Sequence, residues 1–245
     1  MDGRAGWRAL PLVGRGDPGL AGAASGCDLL MLAVPDAAVA AAAAAVEPVA
    51  TTVVAHLAGS LTLDALAGHA RVASLHPLVS LPSPAVGATR LLDAAWFAVA
   101  GDPLVEDVVA ALGGRLLRVA DDPETRALYH AAACVAANHL VALMGSVERI
   151  GALAGVPLDA LLALARGALA NVGDVGPAAA LTGPIARGDL ETVARHRAAL
   201  AAHADPVDAA AYDALAAAAA LLCSETHASG GFGCEEVGEE GVRCR

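Results

Sequence analysis

The chain has 245 residues, enough for one large domain or two modest ones with a sizeable core. It is 57% hydrophobic but only 2% aromatic, and roughly a quarter of it is alanine, so small residues packed between helices must supply much of that core. The formal net charge of −11 argues against a nucleic-acid partner, and all 15 basic residues are arginine, which excludes Schiff-base chemistry, a Walker-type phosphate lysine and a lysine general acid.

Five cysteines, Cys27, Cys134, Cys223, Cys234 and Cys244, are too far apart for a zinc site or a redox pair, and an odd number in a chain this long reads as a reducing compartment. The amino terminus has arginines but no apolar signal core. Asp36, Glu47, Asn138, His139 and Asp213 interrupt the apolar stretches, so none is expected to span a bilayer. The expectation is a cytoplasmic protein with neither membrane nor nucleic-acid partner, and with no metal site.

In chain order, short apolar runs bounded by Gly, Pro, Asp or Ser predict strands at Ala9–Val13, Asp28–Val34, Thr51–Leu57, Arg71–His76, Trp96–Ala100 and Leu116–Val119. Helical patterns fall between them at Asp36–Val46, Leu61–His69 and Pro103–Leu112. Continuous apolar strands separated by crossover helices predict a parallel sheet covered on both faces. The character changes near Asp121. A long helix is predicted from Pro123 to Ala154, another begins at Pro157, and after the Gly/Pro-rich passage Gly173–Gly188 two more cover Leu190–His203 and Pro206–Ser224. The fold class is therefore α/β, with a sheet domain over residues 1–120 and an all-helical domain over 121–224. Residues 225–245, rich in Gly and Glu, predict a disordered tail.

Gly14-Arg15-Gly16-Asp17-Pro18-Gly19 satisfies the pattern G-x-G-x-x-G after a candidate strand, but its context fails. Only eight residues separate Gly19 from Asp28, with Gly22 and Gly26 among them, too few for the helix that a phosphate loop should open. Ala9–Val13 reads better as the second strand of a dinucleotide fold. Gly14 and Arg15 would then lie by the adenosine ribose, where an arginine accommodates a 2′-phosphate and favours NADP over NAD; the alternative is a surface arginine in a turn. On that reading the first βα unit is missing. Either the true start lies upstream of Met1, which is the favoured expectation, or the chain is a damaged version of its fold.

Several motifs in one order extend this reading. Cys27-Asp28-Leu29-Leu30-Met31-Leu32-Ala33-Val34-Pro35-Asp36 resembles the fourth-strand motif of the 6-phosphogluconate dehydrogenase-like superfamily. His56-Leu57-Ala58-Gly59-Ser60, Ser74-Leu75-His76-Pro77-Leu78, Tyr129-His130-Ala131-Ala132-Ala133, Ala137-Asn138-His139-Leu140 and Ala180–Asp189 narrow it. Together they resemble the Rossmann-like short-subunit dehydrogenase-like oxidoreductases, similar in layout to ketopantoate reductase and pyrroline-5-carboxylate reductase. The resemblance covers roughly Trp7 to Leu222 and implies an NAD(P)-binding domain, a helical domain that dimerises, and a cleft between them.

On that resemblance, Ala33, Val34 and Pro35 contact a nicotinamide ribose, although the same residues also read as a plain strand-to-helix turn with Asp36 as its cap. His56, Gly59 and Ser60 follow the next strand, His56 and Gly59 on the cofactor side and Ser60 on the substrate side; a structural histidine is the other reading of His56. His76 ends a further strand at the same edge and joins the catalytic candidates. His130, Cys134 and Asn138 recur at i, i+4 and i+8. Related reductases use a lysine and an asparagine on the matching helix, so His130 is the candidate proton donor and Asn138 the residue that orients the carbonyl, unless this is only a polar face packed on the sheet. Thr182 and Arg187 are candidates for a substrate carboxylate, with a structural ion pair between Arg187 and Asp189 as the alternative. The implied activity is NADPH-dependent reduction of a small 2-keto acid, ketopantoate to pantoate being the pair the resemblance favours, by a homodimer. An imine reductase and a non-catalytic dimeric scaffold are the alternatives.

Overall fold

The computed structural model describes residues 6–14 and 16–229, with side chains to residue 224. It contains two compact units that divide between Asn138 and His139.

The first unit holds a five-stranded sheet in the order β1 (Leu29–Leu32), β2 (Val53–His56), β3 (Arg71–Pro77), β4 (Trp96–Gly101), β5 (Arg115–Arg118). Five of the six predicted strands are present, each within a few residues of its predicted bounds. The sixth is not: residues 7–14 form no strand, and Leu10, Leu12 and Val13 are exposed. Pro11 accounts for much of this, since it removes a ladder donor from the middle of a five-residue segment. Only Trp7 of this stretch packs on the core.

A second correction concerns direction. β1, β2 and β3 are parallel, but β4 runs antiparallel to β3 and β5 parallel to β4. The link from β3 to β4 contains a two-turn helix that the sequence pattern did not predict, α2 (Pro84–Leu91), capped by the Ser83 hydroxyl on Val86 N–H. Leu92 caps its carboxyl end, and Ala94 (φ 47°) turns the chain back beside β3. The other crossovers are α1 (Val39–Ala44), preceded by a 3-10 turn at Asp36–Ala38, a 3-10 turn at Leu63–Leu66, and α3 (Leu104–Leu112).

One sheet face packs Val53, Ala55, Ala73, Leu75, Phe97 and Val99 against Val105, Val108 and Val109 of α3. The other face carries Leu32, Val54 and Leu66, with Leu30 and Val72 at the rim. Each fully buried valine or leucine contributes about 1.5–3 kcal/mol of transfer free energy, which is why both cores lie on the sheet. α4 (Pro123–Cys134) closes the unit.

A π-helical turn, Val135–His139, leads into α5 (Leu140–Leu153), followed by α6 (Leu158–Val175), α7 (Pro177–Ala180), α8 (Leu190–His203) and α9 (Pro206–Ser229). No strand occurs among the described residues of the second unit. Its anchors are polar: Arg149 donates to both oxygens of buried Asp208, Nε at 2.8 Å and Nη2 at 2.5 Å. Many of its large apolar residues are exposed, among them Leu164 (72%), Leu190 (78%) and Val207 (69%).

Two helical stretches, Pro123–Leu153 and Pro206–Ser224, are long and apolar enough to cross a membrane by length and composition, contrary to the expectation from the interrupting residues. Asn138 and His139 are polar, but the Ala, Leu and Val residues around them outweigh them in the average. The amino-terminal part of the first stretch is engaged with the sheet through Arg126, described next.

Candidate functional site

Strand periodicity places the site. β2 and β3 are in register with His56 beside Ser74, and His76 follows Ser74 by two residues, so all three side chains project from one face. On that face Val54 and Val72 lie toward the amino ends of the strands and His56, Ser74 and His76 toward their carboxyl ends. The apolar face thus turns polar at the edge where ligands meet parallel sheets.

The first turns of α4 cover this polar row. Asp122 caps the helix by accepting from Thr125 N–H at 2.8 Å, and Pro123 occupies a first-turn position where no donor is needed. Arg126, Tyr129 and His130 then fall at i, i+3 and i+4, one helical face. Arg126 is fully buried and donates from Nη2 to Ser74 Oγ at 2.6 Å and to Asp121 Oδ1 at 3.3 Å. Asp121 in turn accepts from Leu63 N–H at 3.1 Å. Tyr129 Oη lies 2.6 Å from His76 Nδ1, with the two rings edge to face. The His130 ring stands 6.0 Å from that of His76.

Gly59 is where these groups meet. A Cβ at this position would come within 2.9 Å of both His130 Cδ2 and His76 Cε1 and 3.0 Å of His76 Nε2. Only glycine lets both imidazoles close over this loop. The space expected for a cofactor's approach to Gly59 is, on that side, filled by the two rings. Next to it, Ser60 Oγ donates to Asp36 Oδ2 at 2.9 Å, tying the β2 loop to the turn after β1. Ala33, Val34 and Pro35 precede that turn and are all exposed.

The electrostatics follow from burial. His56 is fully buried and makes no hydrogen bond of good geometry from either ring nitrogen. Desolvation lowers its pKa, the Arg126 charge lowers it further, and the nearby Thr62 backbone opposes this only in part. His76 is likewise pushed down, first by burial and then by His130 and Arg126, with Asp36 opposing. Burial raises the Tyr129 pKa and the Arg126 charge lowers it. Arg126 itself leaves Nε and Nη1 without hydrogen bonds.

Of the sequence-predicted residues, His56, Gly59, Ser60, His76 and His130 come together here, and Ala33–Pro35 adjoin through Asp36. Asn138 is exposed on the π turn. Over eight residues an α-helix drifts about 80° from the starting face; the wider π turn advances less per residue and reduces that drift. Gly14 is exposed in the irregular segment, accepting from Asp17 N–H in a turn, and the residues after it continue as turns without opening a helix. Arg15 lies outside the described residues. Thr182 and Arg187 are exposed in the passage before α8, and Asp189 caps that helix by accepting from Thr192 N–H. Sequence reasoning missed Arg126, although a cation in the first turn of a helix opposes the helix dipole and is a readable anomaly. Tyr129 lies within one of the sequence motifs, but only the fold shows its partner, His76.

Residues 97–219 match the family described as "Domain of unknown function (DUF2520)". Among solved structures, the protein TM1727 from Thermotoga maritima is 25% identical with a TM-score of 0.66, covering 81% of this chain and 78% of that one. A reductive aminase from Aspergillus terreus, in complex with NADPH4, cyclohexanone and allyl amine, is 20% identical with a TM-score of 0.60, covering 86% and 77%. A pyrroline carboxylate reductase from Plasmodium falciparum with NADP bound is 11% identical with a TM-score of 0.54, covering 85% and 79%. These likenesses establish the Rossmann-like reductase fold. No curated protein matches the chain.

Proposed function

The chain belongs to the DUF2520 family, and we propose that it is an NADP-dependent oxidoreductase that reduces the C=O carbon of a small 2-keto acid. One observation carries the reading. A buried arginine and an unpartnered buried histidine destabilise the fold relative to apolar residues, by about 1–3 kcal/mol for each unsatisfied group. Here they sit at the carboxyl ends of parallel strands, near His76 of β3 and His130 of α4, where such expense reads as function. The NADP-bound fold relatives support the choice of cofactor.

The residues fit one end of that cofactor. The exposed Ala33–Pro35 stretch at the end of β1 has no long side chain to obstruct a ribose, and Asp36 and Ser60 border it. No glycine loop opening a helix is available for the pyrophosphate among the described residues. Binding through Ala33, Val34 and Pro35, with His56 and Gly59 shaping the floor, would orient the nicotinamide, which supplies a hydride when bound. In this reading His76 and His130 are the imidazoles able to deliver the proton, Asn138 is the candidate to orient the substrate and Ser60 to bind it; Thr182 and Arg187, which belong to the second unit, are separate candidates for a substrate carboxylate. The protein works as a cytoplasmic homodimer assembled through the helical unit, whose exposed leucines and valines lack a core of their own.

The test follows NADPH absorbance with a panel of 2-keto acids, ketopantoate included, and with ketone–amine mixtures that form imines. Turnover of a keto acid supports the proposal, and turnover of imines alone moves the substrate class to C=N. Failure with every substrate, together with no cofactor binding, favours a non-catalytic dimeric module. That second reading draws on one observation, the absence of strand and phosphate loop in residues 7–14 and 16–26.

A further inference from the structure

Two groups in the site have no part in the sequence-derived scheme: the Tyr129 hydroxyl and the buried Arg126 guanidinium. Tyr129 Oη is 2.6 Å from His76 Nδ1, and a phenol at neutral pH is the donor in such a pair. Donation by Tyr129 fixes the neutral His76 ring with its proton on Nε2. That nitrogen makes no hydrogen bond among the described residues and lies over Gly59, beside the His130 ring. His76 is therefore held with its Nε2 proton on the Gly59 side of the ring and a second proton donor on Nδ1.

We propose that Tyr129 and His76 form a two-residue proton relay, with the charge of Arg126 setting its direction; this rests on the reductase reading above. As the substrate carbonyl carbon receives hydride, the Nε2–H bond of His76 breaks and an O–H bond forms on the substrate oxygen. The Tyr129 O–H bond breaks in turn, an Nδ1–H bond forms, and the ring remains neutral throughout. The phenolate left on Tyr129 is reprotonated by solvent.

The surroundings favour this order over delivery from an imidazolium. Burial, His130, His56 and Arg126 all disfavour a cationic His76, and Asp36 alone opposes them. Burial raises the Tyr129 pKa, and the same Arg126 charge, one helical turn away, offsets part of that cost for the transient phenolate. Arg126 is held for this by Ser74 and Asp121, so its position is independent of substrate. His130 then packs beside His76 and shapes the site rather than delivering the proton.

The Tyr129→Phe variant keeps the ring and removes only the hydroxyl, so the fold is retained. Its kcat is expected to fall about 100-fold while the NADPH dissociation constant stays within about twofold of wild type. The pH profile separates a relay from a merely structural hydrogen bond. In the variant the proton must come from His76 as imidazolium, so kcat falls about tenfold per pH unit above the His76 pKa, whereas the wild-type profile is flat there. An independent readout is the His76 tautomer in the wild-type chain, by long-range proton–nitrogen NMR, expected to be Nε2–H. An Nδ1–H tautomer, or a Tyr129→Phe variant with wild-type kcat and pH profile, overturns the relay and leaves the reductase reading standing. A wild-type chain that neither binds NADPH nor turns over overturns both.

Discussion

Replacing Gly59 by alanine tests whether the two imidazoles meet where the structure puts them. The added methyl would sit 2.9 Å from ring carbons of both His76 and His130 and 3.0 Å from His76 Nε2. Optimal carbon contacts are about 3.5–4.0 Å, so at least one ring must retreat by roughly half an ångström or more. His76 is poorly placed to do so, because its other ring nitrogen is already held at 2.6 Å from the Tyr129 hydroxyl. Overpacking of this kind costs about 1–3 kcal/mol. For a chain of this size that corresponds to a fall in Tm of roughly 2–12 °C. Backbone strain is not the cause, since Gly59 has an ordinary negative φ. The assay is thermal unfolding, with His76 and His130 ring resonances followed by NMR. Gly167→Ala on α6 is the control: nothing lies near its added methyl, and helix propensity predicts a gain of about 1 kcal/mol. A Gly59→Ala protein with unchanged Tm and unchanged histidine resonances would refute the packing described here.

Three further outcomes are expected. His56 and His76 titrate below the ordinary histidine value in the fold, so they contribute stability that is complete above about pH 6.5 and is lost as pH falls below it. Denaturant midpoints measured from about pH 7.5 to 5.5 should decline, with a limiting slope of about 1.4 kcal/mol per pH unit for each histidine; a flat series contradicts the buried site. Asp208 is held at a pKa of about 2 by Arg149 and Ser146, so Asp208→Asn should lower Tm at neutral pH, with the difference from wild type shrinking as pH falls toward 2. A constant difference across that range would rule out the ion pair as the cause. Finally, light scattering at micromolar concentration should give twice the monomer mass, and a monomer would remove the helical unit's proposed role in assembly.

Much of the architecture is legible because the strands are short apolar runs between breakers, and because Pro123, Pro157 and Pro206 each mark the start of a helix. What the pattern does not carry is strand direction: Trp96–Gly101 reads as a strand either way, and the reversal depends on how residues 78–95 turn. Ala9–Val13 has strand composition, but it contains Pro11 and pairs with nothing. Within the site, His56 and His76 are readable as polar residues closing apolar strands. The pairing of Ser74 with Arg126 and of His76 with Tyr129 is not, since each joins residues more than fifty positions apart. Gly59 is readable as a tight position, but only the fold reveals that imidazoles rather than a cofactor press against it.

Thermal unfolding with and without NADPH tests whether this chain binds the cofactor. At a hundred times its dissociation constant, NADPH should stabilise the fold by about 2.7 kcal/mol. That is a rise in Tm of roughly 5–10 °C, with a smaller rise for NADH at the same concentration. No shift with either nucleotide would contradict the account and leave a Rossmann-like module without its cofactor.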